Sequence, residues 1–395
     1  MKTLTLYFLC ILFGIHPVQS QIPALSWEKE VAVRVSHYFS DVQELSGGNF
    51  ILLGAIQQPG ERNFDLWLLE VANNGDTIKT HVFGITGKDI PMRILLNGDK
   101  GYLVAYLSES GDKIYKSRLM AVAKDFSIQW TAEAEQASTI VRTDIVAGNT
   151  GHIWWLNTVS GLNDKLEVSL SKLDIEGNKI AAFVFGENNS LEGYAIRALP
   201  DETLGISCRV TPAKEKSFIQ VLRIDQEGKI LWKTIIRDAN KNLNPQCLCC
   251  SPDNTLLAGG WAGLCYNPDA PAEEQIWDYD YLLSKIDPSG KVLWTQNYNR
   301  EGSEKGTTLA VLPDGNVLAA GKCETSFTGS VGPWLMLVDS NGKMTDNRVY
   351  KFKFVKDQVA RIICTKDGGI LMVGPGYIES EHQLTGWLRK LNPSM

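Results

Sequence analysis

Thr307-Thr308-Leu309-Ala310-Val311-Leu312-Pro313-Asp314-Gly315-Asn316-Val317-Leu318-Ala319-Ala320-Gly321 is the stretch that decides the fold of this chain. It reads as an apolar strand, an Asp-Gly turn and a second apolar strand ending in small residues. Trp334-Leu335-Met336-Leu337-Val338-Asp339 reads as a third strand, and Ser340-Asn341-Gly342-Lys343 as a second turn. Asp-Gly and Asn-Gly mark hairpins because Asn, Asp and Gly tolerate positive φ.

Working outward, the first turn recurs near Gly48, Asp99, Gly151, Asp201, Asp253, Asp314 and Asp367, at spacings of 51, 52, 50, 52, 61 and 53. The second turn recurs at Asn74-Gly75, Glu176-Gly177, Glu227-Gly228, Ser289-Gly290 and Asn341-Gly342. The second unit is degenerate there, with Lys124-Asp125-Phe126. A Trp follows in the fourth strand at Trp130, Trp232 and Trp294. Four short strands in a unit of about 50 residues predict propeller blades. A β-solenoid has shorter rungs, a sandwich does not repeat, and no segment sustains a helical period. The expectation is an all-β, seven-bladed β-propeller of four-stranded blades, filling 21–395 as one domain.

The last unit states how the ring closes. Its turn is Asp367-Gly368-Gly369, its second strand Ile370–Gly374 and its third strand Trp387–Leu391; it then stops at Asn392-Pro393-Ser394-Met395. A fourth strand is due there. Leu25-Ser26-Trp27-Glu28-Lys29 aligns with Leu293-Trp294-Thr295 and Leu231-Trp232-Lys233, so the N-terminal strand is expected to complete the last blade and remove an open sheet edge.

Ahead of that strand, Met1-Lys2 is followed by an apolar run from Leu4 to Ile15 and by Pro17-Val18-Gln19-Ser20. A basic start, a short apolar core and small residues before a cut predict a signal peptide over 1–20 and a secreted or periplasmic protein. The run is shorter than the roughly 20 residues of a membrane span. The net charge is −6 and the Lys and Arg residues are scattered, which argues against nucleic acid as a partner because such binding needs clustered cations. A monomer is expected.

With the repeat laid out, the chain resembles the exported seven-bladed propellers of Bacteroidota-type bacteria, whose blades read Asp-Gly-Gly-apolar-apolar-Gly, then Trp-Leu-x-Lys-apolar-Asp-x-x-Gly, then a Trp strand. Asp287-Pro288-Ser289-Gly290-Lys291-Val292-Leu293-Trp294 and Asp225-Gln226-Glu227-Gly228-Lys229-Ile230-Leu231-Trp232 are also similar to the tryptophan-docking motif of quinoprotein-like propellers. These motifs imply turns and packing between blades, and no chemistry. Quinoprotein dehydrogenases use eight longer blades and a vicinal-Cys-plus-acid arrangement not found at the expected place here, so no cofactor is expected.

Propellers commonly bind on the face made by the loops between second and third strands. Six of these loops are about ten residues long; the fifth, 261–277, is the outlier. A long loop on a rigid scaffold is a common seat of function. Trp261, Tyr266 and Trp277, with Asp278, are therefore the expected ligand-binding residues, able to stack on a sugar or anchor a protein; packing within the loop is the plainer reading. His37 and Tyr38, in the connection into blade one, and His382, in the blade-seven loop, form a weaker set. With Arg34 to neutralise a uronate they resemble a base, acid and clamp for polysaccharide β-elimination; exposed loop residues are the plainer reading.

No metal site is expected. Asp278-Tyr279-Asp280 puts two carboxylates on one face of a strand, without the looped oxygen cage that calcium takes. Residues three apart in Cys247-Leu248-Cys249-Cys250 point to opposite faces of a strand, which disfavours a zinc clamp. The turns lack the leading Ser of sialidase Asp-boxes in register with the Gly and Trp that such a box needs. Seven cysteines remain beyond residue 20, an odd number; Cys247 or Cys249 paired with Cys208 or Cys265, or buried free thiols, are both open. Together these features predict a non-enzymatic binding or scaffold propeller for a protein or glycan, with a polysaccharide lyase or glycoside hydrolase on the same face as the alternative.

Overall fold

The computed structural model describes residues 21–31, 33–84, 87–111, 114–135, 139–148, 150–160, 165–186, 189–300, 302–325, 331–350 and 357–392. The proposed signal peptide lies outside them. Seven separate four-stranded antiparallel sheets follow one another round a ring. Blade one shows the pattern, running outward through His37–Glu44, Phe50–Gln57, Phe64–Val71 and Thr77–Phe83. Its second strand is buried from Phe50 to Ala55 because both of its faces meet neighbouring blades, so it reads as a continuous apolar run. Its outer strand is mostly exposed, with only Phe83 buried. The core is accordingly a chain of inter-blade clusters: Leu53 and Leu68 of blade one pack with Val104 and Met120 of blade two.

The ring closes as the alignment requires. Leu25–Glu30 pairs antiparallel with Gln383–Leu391, in register from Trp27 opposite Lys390 to Glu30 opposite Trp387. Blade seven thus takes its outer strand from the start of the chain. Arg389, fully buried over the Trp387 ring at 3.9 Å, bonds Glu28 of the closing strand at 3.2 Å and Asp357 at 3.1 Å.

The Trp positions explain how blades dock. Trp232 lies against Gly290 and Trp294 against Gly342, each indole from one blade's outer strand covering the second turn of the next. Each indole N–H also donates to the carbonyl two residues before that glycine, Pro288 at 3.0 Å and Ser340 at 3.0 Å. Gly290 has φ +89, and a Cβ there would meet the Trp232 ring at 2.8 Å, so the turn needs both the left-handed backbone and the missing side chain. Trp27 does the same across the closure against Gly75, and Trp130 against Gly177.

The degenerate turn of blade two proves to be the same joint with its parts exchanged. Phe126 takes the glycine's left-handed conformation, φ 73, and is buried, filling the slot from the turn side. Lys79 of blade one stands at the position that Trp130, Trp232 and Trp294 hold in their blades, 3.9 Å over the Phe126 ring, and donates to the Lys124 carbonyl. At the junction of blades six and seven the second turn is a chain break. There Asp346 takes the docking position and accepts from the Ile22 N–H at 2.8 Å.

Candidate functional site

The long segment of blade five is a hairpin rather than a loop throughout. Its strands, Leu256–Cys265 and Trp277–Ile286, run to ten residues each, so Trp261 and Trp277 sit in strands instead of in the expected loop. Pairing of Trp261 with Tyr281, Gly263 with Tyr279 and Cys265 with Trp277 puts these residues on one face, toward blade six. Gly263 makes room: a Cβ there would meet Tyr279 at 2.8 Å. The result is an aromatic wall. Tyr279 stacks on Trp277 with centroids 5.9 Å apart and 9° between planes, and meets Trp261 edge-on at 5.0 Å.

Facing the wall is the inner strand of blade six, Gly302–Val311. Lys305 projects from it, its ammonium 3.6 Å from the Tyr279 centroid and 5.4 Å from that of Trp261. Burial, and then the charge of Lys322, lowers its pKa. Trp277, Tyr279, Asp278, Lys305, Arg300 and Glu324 are among the residues lining a cavity of about 580 Å³ between the two blades. Beneath it Glu304, fully buried, accepts from the Arg300 N–H at 3.2 Å and from the Cys323 thiol at 3.5 Å. Burial raises the Glu304 carboxyl and pushes the Cys323 thiol up to about 11.

The two acids flanking Tyr279 are engaged elsewhere. Asp280 is paired with Lys241 and accepts from Asn299 at 2.6 Å. Asp278 accepts from the Tyr266 hydroxyl at 3.1 Å, and that bond raises the Tyr266 phenol. The hairpin tip braces itself with polar bonds, Ile276 N–H to Asn267 Oδ1 at 2.6 Å and Asn267 Nδ2 to the Glu274 carbonyl at 2.9 Å. Its apolar side chains are left outside: Tyr266 is 63% exposed and Ile276 61%. The opposite flank, through Pro268 and Gln275, borders a second cavity of about 1080 Å³ toward blade four.

The structure thus brings Tyr266, Trp277 and Asp278 to one cavity, with Trp261 supporting Tyr279 from behind. Sequence reasoning missed Tyr279 and Lys305. The alternation Trp277-x-Tyr279-x-Tyr281 was the available signal, since every second residue of a strand shares a face; Lys305 had none, because it comes from another blade.

The weaker set is divided by burial. His37 is the first residue of the blade-one inner strand, not part of a connection, and is 1% exposed. Its Nδ1 bonds the Val35 carbonyl at 2.9 Å, its ring meets Trp67 edge-on at 5.5 Å, and burial lowers its pKa. Tyr38 packs on Phe64, its phenol pushed up to about 12 by burial and then by Asp89. His382 is exposed, with Nδ1 3.2 Å from the Tyr377 hydroxyl, and Arg34 is exposed. At the seam between blades seven and one, Gln383 donates to the Val35 carbonyl at 2.7 Å.

Among the described residues no group of three or more His, Cys, Asp or Glu is gathered to hold a metal. Cys247, Cys249, Cys250, Cys265, Cys323 and Cys364 are free thiols, and Cys208 is buried. No helix among the described residues is long and apolar enough to cross a membrane.

No family model and no curated protein matches the chain. Solved structures do. Puromycin hydrolase aligns over 92% of this chain at 11% identity and a TM-score of 0.55, but the chain spans only 56% of the length of that enzyme. A protein of unknown function from Dyadobacter fermentans aligns over 93% of this chain and 99% of its own, at 10% identity and TM-score 0.54. BBS1N, solved in complex with ARL6DN, aligns over 95% and 98%, at 11% identity and TM-score 0.55. At these identities the likeness is one of fold.

Proposed function

We propose that this chain is an exported, non-enzymatic binding propeller that holds a glycan in the cavity between blades five and six. One observation carries the reading: the parallel Trp277–Tyr279 pair forms an exposed-edge aromatic wall beside carboxylates and amines on a rigid sheet. Sugar rings present apolar C–H faces and polar rims, and such a wall with flanking polar groups matches both. Neighbouring propellers of known assembly, such as BBS1N with ARL6DN, are consistent with a scaffold that binds. A protein partner is the second reading, favoured by the exposed Tyr266 and Ile276 at the hairpin tip.

A glycan array followed by calorimetry tests the proposal. Trp277→Ala and Tyr279→Ala should each weaken the best binder by about 30-fold, the effect of losing roughly 2 kcal/mol at an aromatic anchor. Binding that survives both substitutions unchanged would sink it. Loss on Ile276→Ser alone, with Trp277→Ala and Tyr279→Ala neutral, would move the contact to the hairpin tip and favour a protein.

A further inference from the structure

The inner strands of the seven blades surround the ring axis. On each, one residue pairs with the residue twelve positions further along the chain: Asp41, Arg93 and Asp144 in blades one to three, Ala195, Cys247 and Thr308 in blades four to six, and Arg361 in blade seven. A β-bulge precedes this position in blades one, two, four, five and six, so the register is a property of the repeat. Blade four, with Ala195 there, supplies Arg197 two residues on, which shares its face.

These side chains join into an arc. Arg361 Nε lies 3.2 Å from Asp41, and Arg93 Nη1 lies 3.7 Å from Asp41. Arg93 grips Asp144 with two bonds of 2.8 and 3.2 Å, and Arg197 reaches Asp144 at 3.0 Å. Each carboxylate also accepts a backbone N–H from the next blade, Ile94 at 2.9 Å and Ile196 at 3.0 Å. Read round the axis, the charges run Arg361, Asp41, Arg93, Asp144, Arg197: plus, minus, plus, minus, plus. The arc carries one positive charge in excess and ends in arginine on both sides. The gap between its ends falls in blades five and six, where the register positions hold no carboxylate but Cys247 and Thr308.

Thr308 is 1% exposed, and its hydroxyl has no hydrogen-bond partner among the described residues. A buried hydroxyl left so costs about 1–3 kcal/mol. The Arg361 Nε makes no hydrogen bond among the described residues, and its side chain retains 21% exposure and that of Arg197 15%, so solvent reaches both. Arg361 is pulled down to about 10 by burial and then by the like charges of Arg93 and Arg197, and the acids acting on it are the two already in the arc. The buried thiol of Cys247, at the register position of blade five, lies within electrostatic reach of both Arg197 and Arg361.

We infer that a small monovalent anion, a halide or a carboxylate, binds at the ring axis between Arg197 and Arg361 and accepts from the Thr308 hydroxyl. It would complete the charge alternation and tie blade four to blade seven across the two blades that lack a charge. The site is independent of the loop-face cavity.

The test uses the folded chain in sodium gluconate, with bromide or formate exchanged in at constant ionic strength. Crystals grown with bromide should show an anomalous peak within hydrogen-bond reach of Arg361 and Thr308. The melting temperature should rise by about 2 °C for each tenfold increase in bromide above saturation, from mass action on a chain of this size. Thr308→Val, nearly isosteric, should fold and cut the bromide response about tenfold in apparent affinity; Arg361→Gln should abolish it. An equal response to formate assigns the site to carboxylates as well as halides, and a response to bromide alone assigns it to halides. No anomalous peak with a melting temperature indifferent to the anion overturns the proposal, as does an unchanged bromide response in Thr308→Val.

Discussion

The joint between blades five and six and the joint between blades six and seven occupy the same place in the repeat and are built with opposite polarity. At the first, Trp294 donates its indole N–H to the Ser340 carbonyl of an intact turn. At the second there is no turn, because the blade is made from both ends of the chain, and Asp346 accepts the Ile22 N–H instead. A covalent turn offers a spare carbonyl, whereas an incoming N-terminal segment offers a spare N–H. The slot is therefore conserved in space while its chemistry follows whichever backbone group is left over. The exchange of Phe126 and Lys79 at the junction of blades one and two is a third solution to the same problem.

The largest effect should come from breaking the closure outright. Removing residues 21–30 strips Ile22, buried in the cluster with Trp387 and Leu391, and leaves Gln383–Leu391 as an open edge. We expect loss of cooperative unfolding and aggregation, seen by circular dichroism and light scattering. A soluble, cooperatively melting truncation would show that the outer strand of blade seven is dispensable.

Acidity separates the seams next. Asp89, fully buried between blades one and two, is raised to about 7 by burial, and Asp357 beside the closure is raised to about 6 by burial despite Arg389. An ordinary unfolded Asp titrates at about 3.9. Between that value and 6 to 7 the folded chain holds more protons than the unfolded one, so stability is fully present below about pH 4 and is lost as pH rises through 6 and 7. The turn carboxylates Asp174 and Asp287 at the docked seams shift the other way, lowered by bonds from Asn178 and Ser289, and their contribution is lost only as pH falls through the usual carboxylate range. Melting should occur about 3–5 °C higher at pH 5 than at pH 8. Asp89→Asn should remove most of that difference; a flat profile in the parent would refute the assignment.

What was legible in the sequence divides along the same line. The turns and Trp strands are local, so seven blades, their order and the register of Trp27 could be read from spacing alone. Pairing partners from different blades could not. Lys305 reaches the Tyr279 ring from a strand that begins more than twenty residues later, and nothing in its own surroundings marks it. His37 reads as a loop residue because Arg34 and Ser36 flank it, yet the strand of blade one begins on it and Trp67 covers it. Phe126 looked like a lost turn because a bulky residue at positive φ is rare, and only the neighbouring Lys79 makes sense of it.

Two glycines with the same backbone isolate the docking contact itself. Gly290 and Gly315 have φ +89 and +82, but a Cβ at Gly315 meets nothing within 4 Å, while at Gly290 it strikes Trp232. Gly315→Ala should cost about 1 kcal/mol from the left-handed backbone alone. Gly290→Ala should cost about 3 kcal/mol, because the indole must also move and leave the Pro288 carbonyl. Equal losses in denaturant titrations would mean that the Trp contact contributes nothing to docking.

The smallest net change is expected from rebuilding the odd joint in the common pattern. Phe126→Gly alone empties a buried slot against Tyr102 and should cost about 3 kcal/mol. Lys79→Trp alone drives an indole onto the Phe126 ring that already fills the slot, and should cost about 2 kcal/mol. Together they restore a Trp over a left-handed glycine, with the indole N–H taking over the bond that Lys79 gives to the Lys124 carbonyl. The double variant should lie within about 1 kcal/mol of the parent, a coupling of several kcal/mol in a double-mutant cycle. Simple addition of the two losses would show that the slot at blades one and two differs in shape from the others, and that Phe126 and Lys79 are not an exchanged form of the same joint.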